Sequence, residues 1–305
     1  MLKSGEVCAF PTETVYGLGA DAFDAGAVLK IYQTKDRPSF NPLIVHCAHM
    51  NMAEKIVRFS PVARKLASFW PGALTLVLPR LQETRICDLV SAGLGTVGVR
   101  VPAHPLAQEL IKAVGRPLAA PSANPSGRLS PTSVGQVRHA FNDRVAVLDG
   151  ADCAAGLEST ILGVEEERVV QLRSGAITRR EIELLLDTEI EIAPANTAIS
   201  APGMMVSHYA PKAKIRLNAT RAEAGEAFLG FGGAGGTAGP LTKNLSPGGD
   251  LAEAAHNLFG FLHDLDATGA SRIAVAPIPA AGLGEAINDR LSRAAAPRKV
   301  ETVPE

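Results

Sequence analysis

The sequence predicts an α/β protein made of two units joined by a long linker. Residues 1–186 alternate short apolar runs, bounded by Pro, Gly or Asp, with amphipathic helical patterns. The same alternation restarts at residue 214. Between the two, residues 187–213 contain several prolines and small residues and show little periodicity, which is typical of a functional segment or a domain connector. We therefore expect a larger unit at 1–186, a linker at 187–213 and a smaller unit at 214–305.

Five short runs of the larger unit are predicted to be buried strands. Each is apolar, rich in β-branched residues or leucine, and lies next to a residue that favours turns. Their alternation with helical patterns favours a single α/β sheet. The five runs span residues 7–10, 43–47, 74–78, 97–101 and 145–148.

Four helices of the larger unit are predicted from their start and stop signals. Asp24 and Ser60 stand where an N-cap is needed, and Ser60 is followed by a proline at the first helical position. Thr178 and Glu181 have the spacing of a capping box. The four helices span residues 24–34, 60–70, 104–114 and 182–186.

The smaller unit resembles a small Rossmann-type α/β fold. Residues 214–217 and 272–277 are predicted strands, and a capping box at Thr220 and Glu223 predicts a helix between them. A glycine-rich run at 230–239 lacks the spacing of a phosphate-binding loop. Two further amphipathic helices are predicted, one from Asp250 to about residue 265 and one at 283–296.

Composition and charge exclude several classes of protein. The 305 residues are 46% hydrophobic and 20% charged, which excludes a wholly disordered chain. Only 5% are aromatic, too few to favour a base-stacking platform for single-stranded nucleic acid. The net charge of -1 is uneven: residues 1–140 hold 15 Lys and Arg against 9 Asp and Glu, and the remainder holds 15 against 22. The positive first part suggests an anionic ligand there, although ordinary surface charge would explain it equally well.

The cysteines and the apolar runs predict a cytoplasmic protein. Cys8, Cys47, Cys87 and Cys153 are separated by 39, 40 and 66 residues, so no metal-binding pair is present and reduced structural thiols are expected. The N-terminal residues lack a signal-peptide core, and the longest apolar run is too short to cross a bilayer.

The polar motifs each have a functional and a structural interpretation. FPTETVYGLGADA follows a predicted strand, where α/β sheets place ligands, or it forms a tight turn. In KDRPSFNPLIVH, Lys35 and Arg37 could clamp phosphate oxygens or lie solvated on a loop, and His46 is more often a core histidine than a catalyst. Arg100, inside the apolar run VGVRV, needs either a structural ion pair or a carboxylate ligand.

Further hydroxyl-rich segments are weaker signals. PLAAPSANPSGRLSPT could present short donors and acceptors to a nucleotide or form a long surface loop, and GLEST and LRSG are each weak alone. No P-loop, GxGxxG, GxSxG or HExxH motif occurs. Catalysis is therefore expected to proceed by positioning and charge stabilisation rather than through a covalent intermediate.

Taken together, the ordered segments resemble a known family. FPTETVYGLGADA, KDRPSFNPLIVH, WPGALTLVL, VGVRVPAHP, PLAAPSANPSG, GLESTIL and LRSGAIT resemble the YrdC-like domain of threonylcarbamoyl-AMP synthases. APGMMVSHYAPK and GLGEAINDRLSRAA resemble the linker and C-terminal domain of the two-domain type. The resemblance implies a YrdC-like twisted mixed sheet with helices, followed by a smaller Rossmann-like domain.

The implied activity joins L-threonine, bicarbonate and ATP into threonylcarbamoyl-AMP and releases pyrophosphate. A partner transferase then modifies tRNAs that read codons beginning with A, so tRNA is an indirect partner and no membrane is involved. Mg²⁺ is implied as the complex with ATP, with no protein side chain assigned to the metal. Two alternatives are an RNA-binding module without catalysis and a hydrogenase-maturation carbamoyltransferase, whose zinc-finger-like cysteine pairs are absent here.

The resemblance also assigns residues to the site. Lys35 and Arg37 match the charge-stabilising catalytic positions. Thr14, His46, Arg100, Ala120 and Ser159 match the L-threonine pocket. The positions that contact ATP are matched by Lys35, Arg37, Asn41, Thr96, Ser122, Asn124, Ser130 and Arg173. The linker is implied to be a lid over the site, with His208 and Tyr209 as its matching residues.

Overall fold

The computed structural model describes residues 1–194, 208–234 and 241–297. Within these residues, one mixed sheet of nine strands forms the larger unit, in the order β1-β2-β6-β3-β5-β4-β7-β8-β9. Its strands are β1 (Cys8–Phe10), β2 (Gly17–Asp21), β3 (Ile44–His46), β4 (Leu74–Pro79), β5 (Thr96–Arg100), β6 (Leu118–Ala119), β7 (Thr160–Glu165), β8 (Arg168–Arg173) and β9 (Glu191–Ile192).

The helices of the larger unit pack against this sheet and bury their apolar faces in its core. Asp24 caps the first helix by accepting from two main-chain amides, Ser60 caps the third, and Thr178 and Glu181 form the predicted capping box. The helices are α1 (Ala25–Lys35), α2 (Met50–Ala53), α3 (Pro61–Leu66), α4 (Asp88–Ser91), α5 (Pro105–Val114), α6 (Val134–Phe141) and α7 (Arg179–Leu186).

A second sheet forms the smaller unit, and its pairings are all parallel among the described residues. The strand order is β10-β13-β11-β12, with two long amphipathic helices packed on it. This arrangement confirms the predicted α/β character. The elements are β10 (Lys214–Arg216), β11 (Glu226–Gly230), β12 (Thr242–Asn244), α8 (Leu251–Ala267), β13 (Arg272–Val275) and α9 (Leu283–Ala295).

Three local predictions are wrong. Residues 145–148 make only an isolated bridge between Ala9 and Val147. The chain then leaves the edge of β1 at Gly150, where a Cβ would lie 2.7 Å from Pro11. The predicted helix after Thr220 is absent from this part of the described chain. Glu223 instead donates its amide to Glu226, and Gly225 takes a φ of +79° as the chain enters β11.

The third correction concerns the linker at 187–213. Its first part contains β9, which pairs in parallel with β8. Its last part, from His208 to Ala210, is buried. Residues 195–207, and residues 235–239 of the glycine-rich run, lie outside the described residues. None of the helices that the structure describes is long and apolar enough to cross a membrane.

The two sheets are connected through buried contacts between α8, α9 and the larger unit. Gly156 has a φ of +67°, and a Cβ there would lie 2.4 Å from the carbonyl oxygens of Ala255 and His256 in α8. Glu285 in α9 accepts a hydrogen bond of 2.7 Å from Gln171 in β8. Helices of the smaller unit therefore pack directly behind residues 156–175, which form one wall of the site described next.

Candidate functional site

A cavity of about 50 Å³ lies at the carboxyl ends of β3 and β5. The loops that follow β1 and β6 and the loop that precedes β7 also line it. Because β3 and β5 are parallel and in register, His46 and Arg100 stand side by side at their carboxyl ends. The cavity is lined by Thr12, Thr14, Val15, Gly17, Arg37, Ile44, His46, Arg100, Ala120, Pro121, Ser122, Glu158, Ser159, Arg173, His208 and Tyr209.

Arg100 forms a structural ion pair and also lines the cavity, so a carboxylate ligand stays a prediction beside that pair. Its Nη2 lies 2.6 Å from Oε1 of Glu13. Its Nη1 donates to Oγ1 of Thr14 at 2.9 Å, and its Nε donates to the carbonyl of Gly72 at 3.2 Å. Burial alone would raise the pKa of Glu13, but the charge and hydrogen bonding of Arg100 lower it below its ordinary value. Glu13 is therefore ionised beside the guanidinium of Arg100.

His46 is neutral in this environment. Burial, together with the neighbouring charge of Arg100, lowers the pKa of His46 to about 3. Its Nδ1 lies 3.3 Å from the carbonyl oxygen of Ile44. At neutral pH this imidazole offers a hydrogen bond and packing rather than a charge.

Lys35 and Arg37 form the opposite, cationic side of the site. Lys35 ends α1 and is buried, and its Nζ donates to the carbonyls of Ser122, at 2.5 Å, and Asn124. Arg37 donates to the carbonyls of Asn41, at 3.1 Å, and Pro42, at 2.8 Å.

No carboxylate among the described residues forms an ion pair with either of these two cations. Burial and the neighbouring Arg37 lower the pKa of Lys35 well below its ordinary value. Burial likewise lowers the pKa of Arg37 to about 10. Both shifts follow from burial without a carboxylate partner among the described residues, and a bound anion would stabilise the charged forms in such an environment.

Arg173 and Ser159 connect the segments LRSG and GLEST, each of which was weak evidence for a binding site when taken alone. Arg173 donates to the carbonyl of Ser159 through Nε at 3.1 Å and Nη2 at 2.9 Å. The Oγ of Ser159 lies 2.8 Å from Oγ1 of Thr75. Gly175 allows this approach, because a Cβ there would lie 2.4 Å from the amide nitrogen of Thr160. GLEST and LRSG therefore build one wall of the cavity together.

The other predicted residues divide into three groups. Lys35, Asn41, Asn124 and Ser130 are buried beside the cavity without lining it. Asn124 supports its own loop, since its Nδ2 donates to the carbonyls of Pro125 and Arg128 at 2.9 Å. Thr96 is not brought to the cavity: it begins β5, and four residues of strand separate it from Arg100 by roughly 13 Å. The predicted residues that line the cavity are Thr14, Arg37, His46, Arg100, Ala120, Ser122, Ser159, Arg173, His208 and Tyr209.

His208 and Tyr209, which end the predicted linker, line the cavity. Tyr209 is 1% exposed, its ring centroid lies 5.6 Å from that of Phe259 in α8, and its hydroxyl forms no hydrogen bond within the described chain. Burial lowers the pKa of His208 to about 3, so this ring is also neutral. Both side chains line the cavity together with Arg37 and Arg173, and their role as a lid stays a prediction.

The structure adds three charged residues that the sequence did not single out. Glu13 pairs with Arg100, and Glu158 pairs at 2.8 Å with Arg290 of α9. Glu13 and Glu158 lie inside the motifs FPTETVYG and GLEST, so their acidic character was visible. Arg290 has no local signal, because its segment has the pattern of an ordinary amphipathic helix. No cluster of three His, Cys, Asp or Glu side chains that could hold a metal occurs in the described ranges.

Comparison with known proteins gives strong similarities over almost the whole chain. One family model, described as "Telomere recombination", matches residues 1–175, and a second, described as "Threonylcarbamoyl-AMP synthase, C-terminal domain", matches residues 177–296. The threonylcarbamoyl-AMP synthases of Bacillus subtilis and Pyrococcus abyssi are each 38% identical to the chain. The alignments cover 98% of this chain in both cases, and 92% and 93% of the two relatives.

A solved structure has the same sequence identity to this chain as these two relatives. It is described as P. abyssi Sua5 complexed with L-threonine, and it is 38% identical with a TM-score of 0.87. The match covers 96% of this chain and 92% of the other.

Proposed function

We propose that this chain, which belongs to the threonylcarbamoyl-AMP synthase family, joins L-threonine, bicarbonate and ATP into threonylcarbamoyl-AMP. The observation that carries the proposal is a group of buried cations at one cavity: Arg37 and Arg100 line it, and Lys35 lies behind it and donates to the carbonyl of Ser122, which lines it. Such cations can attract both a carboxylate and a polyphosphate. The relatives are named as synthases, which supports this activity and not the alternative of an RNA-binding module without catalysis.

L-Threonine is proposed to bind on the Arg100 side. The guanidinium has five donors in a fork, so it can retain Glu13 and Thr14 and still donate to a ligand carboxylate. Ser159 and neutral His46 offer short polar contacts for the threonine hydroxyl, and Ala120 closes the wall by packing.

The triphosphate of ATP is proposed to bind on the other side. Lys35, Arg37 and Arg173 supply the positive charge, and Ser122 supplies a short polar contact at the cavity. Asn41, Asn124 and Ser130 hold the surrounding loops. Mg²⁺ enters as the ATP complex, since the phosphate oxygens are the hard ligands that this ion prefers and it is usually held through substrate phosphates.

The reaction is then two bond-forming steps. The neutral threonine amine attacks the carbon of bicarbonate and water leaves, which gives an N-carboxylate. An oxygen of this carboxylate attacks the α-phosphorus of ATP, and the bond to the β-phosphate oxygen breaks to release pyrophosphate. Negative charge grows on the phosphoryl oxygens and on the leaving pyrophosphate, where Lys35 and Arg37 stabilise it as catalytic residues.

The product is proposed to pass to a transferase that modifies tRNA, which makes tRNA an indirect partner. We place the reaction in the cytoplasm. The four cysteines support this proposal because all of them are free thiols, as is usual in a reducing compartment.

Pyrophosphate release from ATP tests the proposed activity. The purified protein is assayed with and without L-threonine, and with and without bicarbonate, and the adenylate product is identified by mass spectrometry. We expect release only when both co-substrates are present. Pyrophosphate release that does not depend on threonine would refute the proposal. So would the absence of release when all three substrates are present.

A further inference from the structure

Arg290 belongs to the smaller unit, but its charged group lies behind the cavity of the larger one. Its side chain is 0% exposed. Its Nε donates to Oε2 of Glu158 at 2.8 Å, and its Nη2 donates to the carbonyl of Ser174 at 2.8 Å. Its Nη1 pairs with Asp289 at 2.5 Å, and its guanidinium carbon lies 5.2 Å from the centre of the Tyr209 ring.

Each of these contacts reaches a different part of the site. Glu158 lines the cavity and precedes Ser159 in the GLEST wall. Ser174 directly follows Arg173, whose donors hold the same wall. Tyr209, the predicted lid residue, lines the cavity. One guanidinium therefore fixes two wall segments and the lid relative to each other.

Arg290 also determines the charge and the placement of its neighbours. Burial alone would raise the pKa of Glu158, and Arg290, with help from Arg173, lowers it instead. The hydroxyl of Tyr209 forms no hydrogen bond within the described residues, so this ring is held by its packing on Arg290, Phe259 and His208. The stacking of a guanidinium on an aromatic face is itself attractive.

We propose that Arg290 is a positioning residue of the synthase reaction, through which the last helix of the smaller unit fixes Glu158, Ser174 and Tyr209 around the bound substrates. Arg290 does not line the cavity. It acts through those three residues. The inference rests on the proposed function, because that function names the reaction in which these residues take part.

Kinetics of matched variants test the proposal. Arg290→Met removes all donors, Arg290→Lys keeps the charge but loses the fork, and Arg293→Gln is a control on the same helix whose arginine also pairs with Asp289. We expect threonine-dependent pyrophosphate release to fall in kcat/KM by about 100-fold for Arg290→Met and about tenfold for Arg290→Lys. Arg293→Gln is expected to stay within about twofold of the wild type.

A purely structural anchor would behave differently. The assays are run well below the unfolding temperature of each variant, with circular dichroism confirming the folded state. If folded Arg290→Lys has the kcat and KM of the wild type, Arg290 only stabilises the fold and the proposal is refuted.

Proteolysis supplies a readout that needs no activity. Chymotrypsin cleaves after aromatic residues, and Tyr209 is 1% exposed while Phe40 is 58% exposed, so the bond after Phe40 is an internal reference. Because cleavage follows local opening, we expect the fragment that begins at Ala210 to form at least about tenfold faster in both Arg290 variants than in the wild type or Arg293→Gln.

The two readouts separate the two proposals. A wild-type protein without pyrophosphate release would refute the proposed function, while the cleavage rates would still show whether Arg290 holds Tyr209. Equal cleavage after Tyr209 in all four proteins would refute the positioning role, even if the enzyme is active.

Discussion

Arg100 and Arg290 each form an ion pair with a carboxylate, whereas Lys35 and Arg37 donate to main-chain carbonyl oxygens. We call the first two the carboxylate-paired cations and the second two the carbonyl-held cations. All four are buried. A carboxylate cancels a whole charge, while a carbonyl dipole offsets only part of one. The two pairs therefore differ in how much negative charge they still require from a ligand.

This difference matches the charges of the two proposed substrates. The triphosphate carries several negative charges, and it is assigned to the carbonyl-held cations. Threonine contributes one carboxylate, and it is assigned to Arg100, whose charge Glu13 already balances but whose fork has donors to spare. The lesson is that the partners of a buried cation, as well as its presence, indicate which ligand it binds.

Loss of a carbonyl-held cation is the largest expected effect. Arg37→Gln or Lys35→Met removes charge stabilisation from the transition state, so pyrophosphate release should fall roughly 10²–10³-fold. The free energy of unfolding should change less than in Arg100→Met, because no buried carboxylate is left unpaired. Urea denaturation measures this. A stability loss in Lys35→Met that exceeds the loss in Arg100→Met would contradict the distinction between the two kinds of cation.

Loss of a carboxylate-paired cation should mainly lower the free energy of unfolding. Arg100→Met leaves the carboxylate of Glu13 buried and unpaired, and we expect the free energy of unfolding to fall by about 3–5 kcal/mol. The double variant with Glu13→Gln removes that charge and should recover part of the loss while threonine binding stays weak. Denaturation curves of the two single variants and the double variant check this. Losses that simply add would show that the ion pair is not the cause.

The smallest effect at neutral pH comes from the two buried histidines. The pKa values of His46 and His208 are about 3 because both rings are buried, while unfolded histidine titrates near 6.5. Between those values the unfolded chain binds more protons than the folded one, so stability falls as the pH drops through this window.

His46→Gln tests that pH dependence. It should reduce the slope of unfolding free energy against pH by at most about 1.4 kcal/mol per pH unit between pH 3 and 6.5. Above pH 7 the slope should match the wild type. An unchanged slope at acid pH would mean that His46 is protonated in the folded protein.

Much of the fold could be predicted because its signals are local. The caps at Asp24, Ser60, Asp250 and the Thr178 capping box each depend on residues within one turn of their helix. The strand predicted at 145–148 was wrong because a strand needs a partner, and only one bridge forms there. The capping box at Thr220 failed because no apolar helical run follows it.

The site was predictable only where its chemistry was concentrated in a motif. Arg100 is conspicuous because it interrupts an apolar strand, and Lys35 and Arg37 share a short loop with two prolines. Arg290 was not predictable, since its role depends on the packing of α9 across 132 residues of sequence from Glu158. Thr96 matches a motif position but begins its strand, away from the cavity, so its contact with ATP stays a prediction.

Calorimetric binding of ATP and of L-threonine to the wild type, Arg37→Gln and Arg100→Gln tests the assignment of substrates to the two sides most directly. We expect Arg37→Gln to weaken ATP by at least about tenfold and to leave threonine almost unchanged, with the opposite pattern for Arg100→Gln. If both variants weaken both ligands equally, or if the pattern is reversed, the two kinds of cation do not divide the substrates between them.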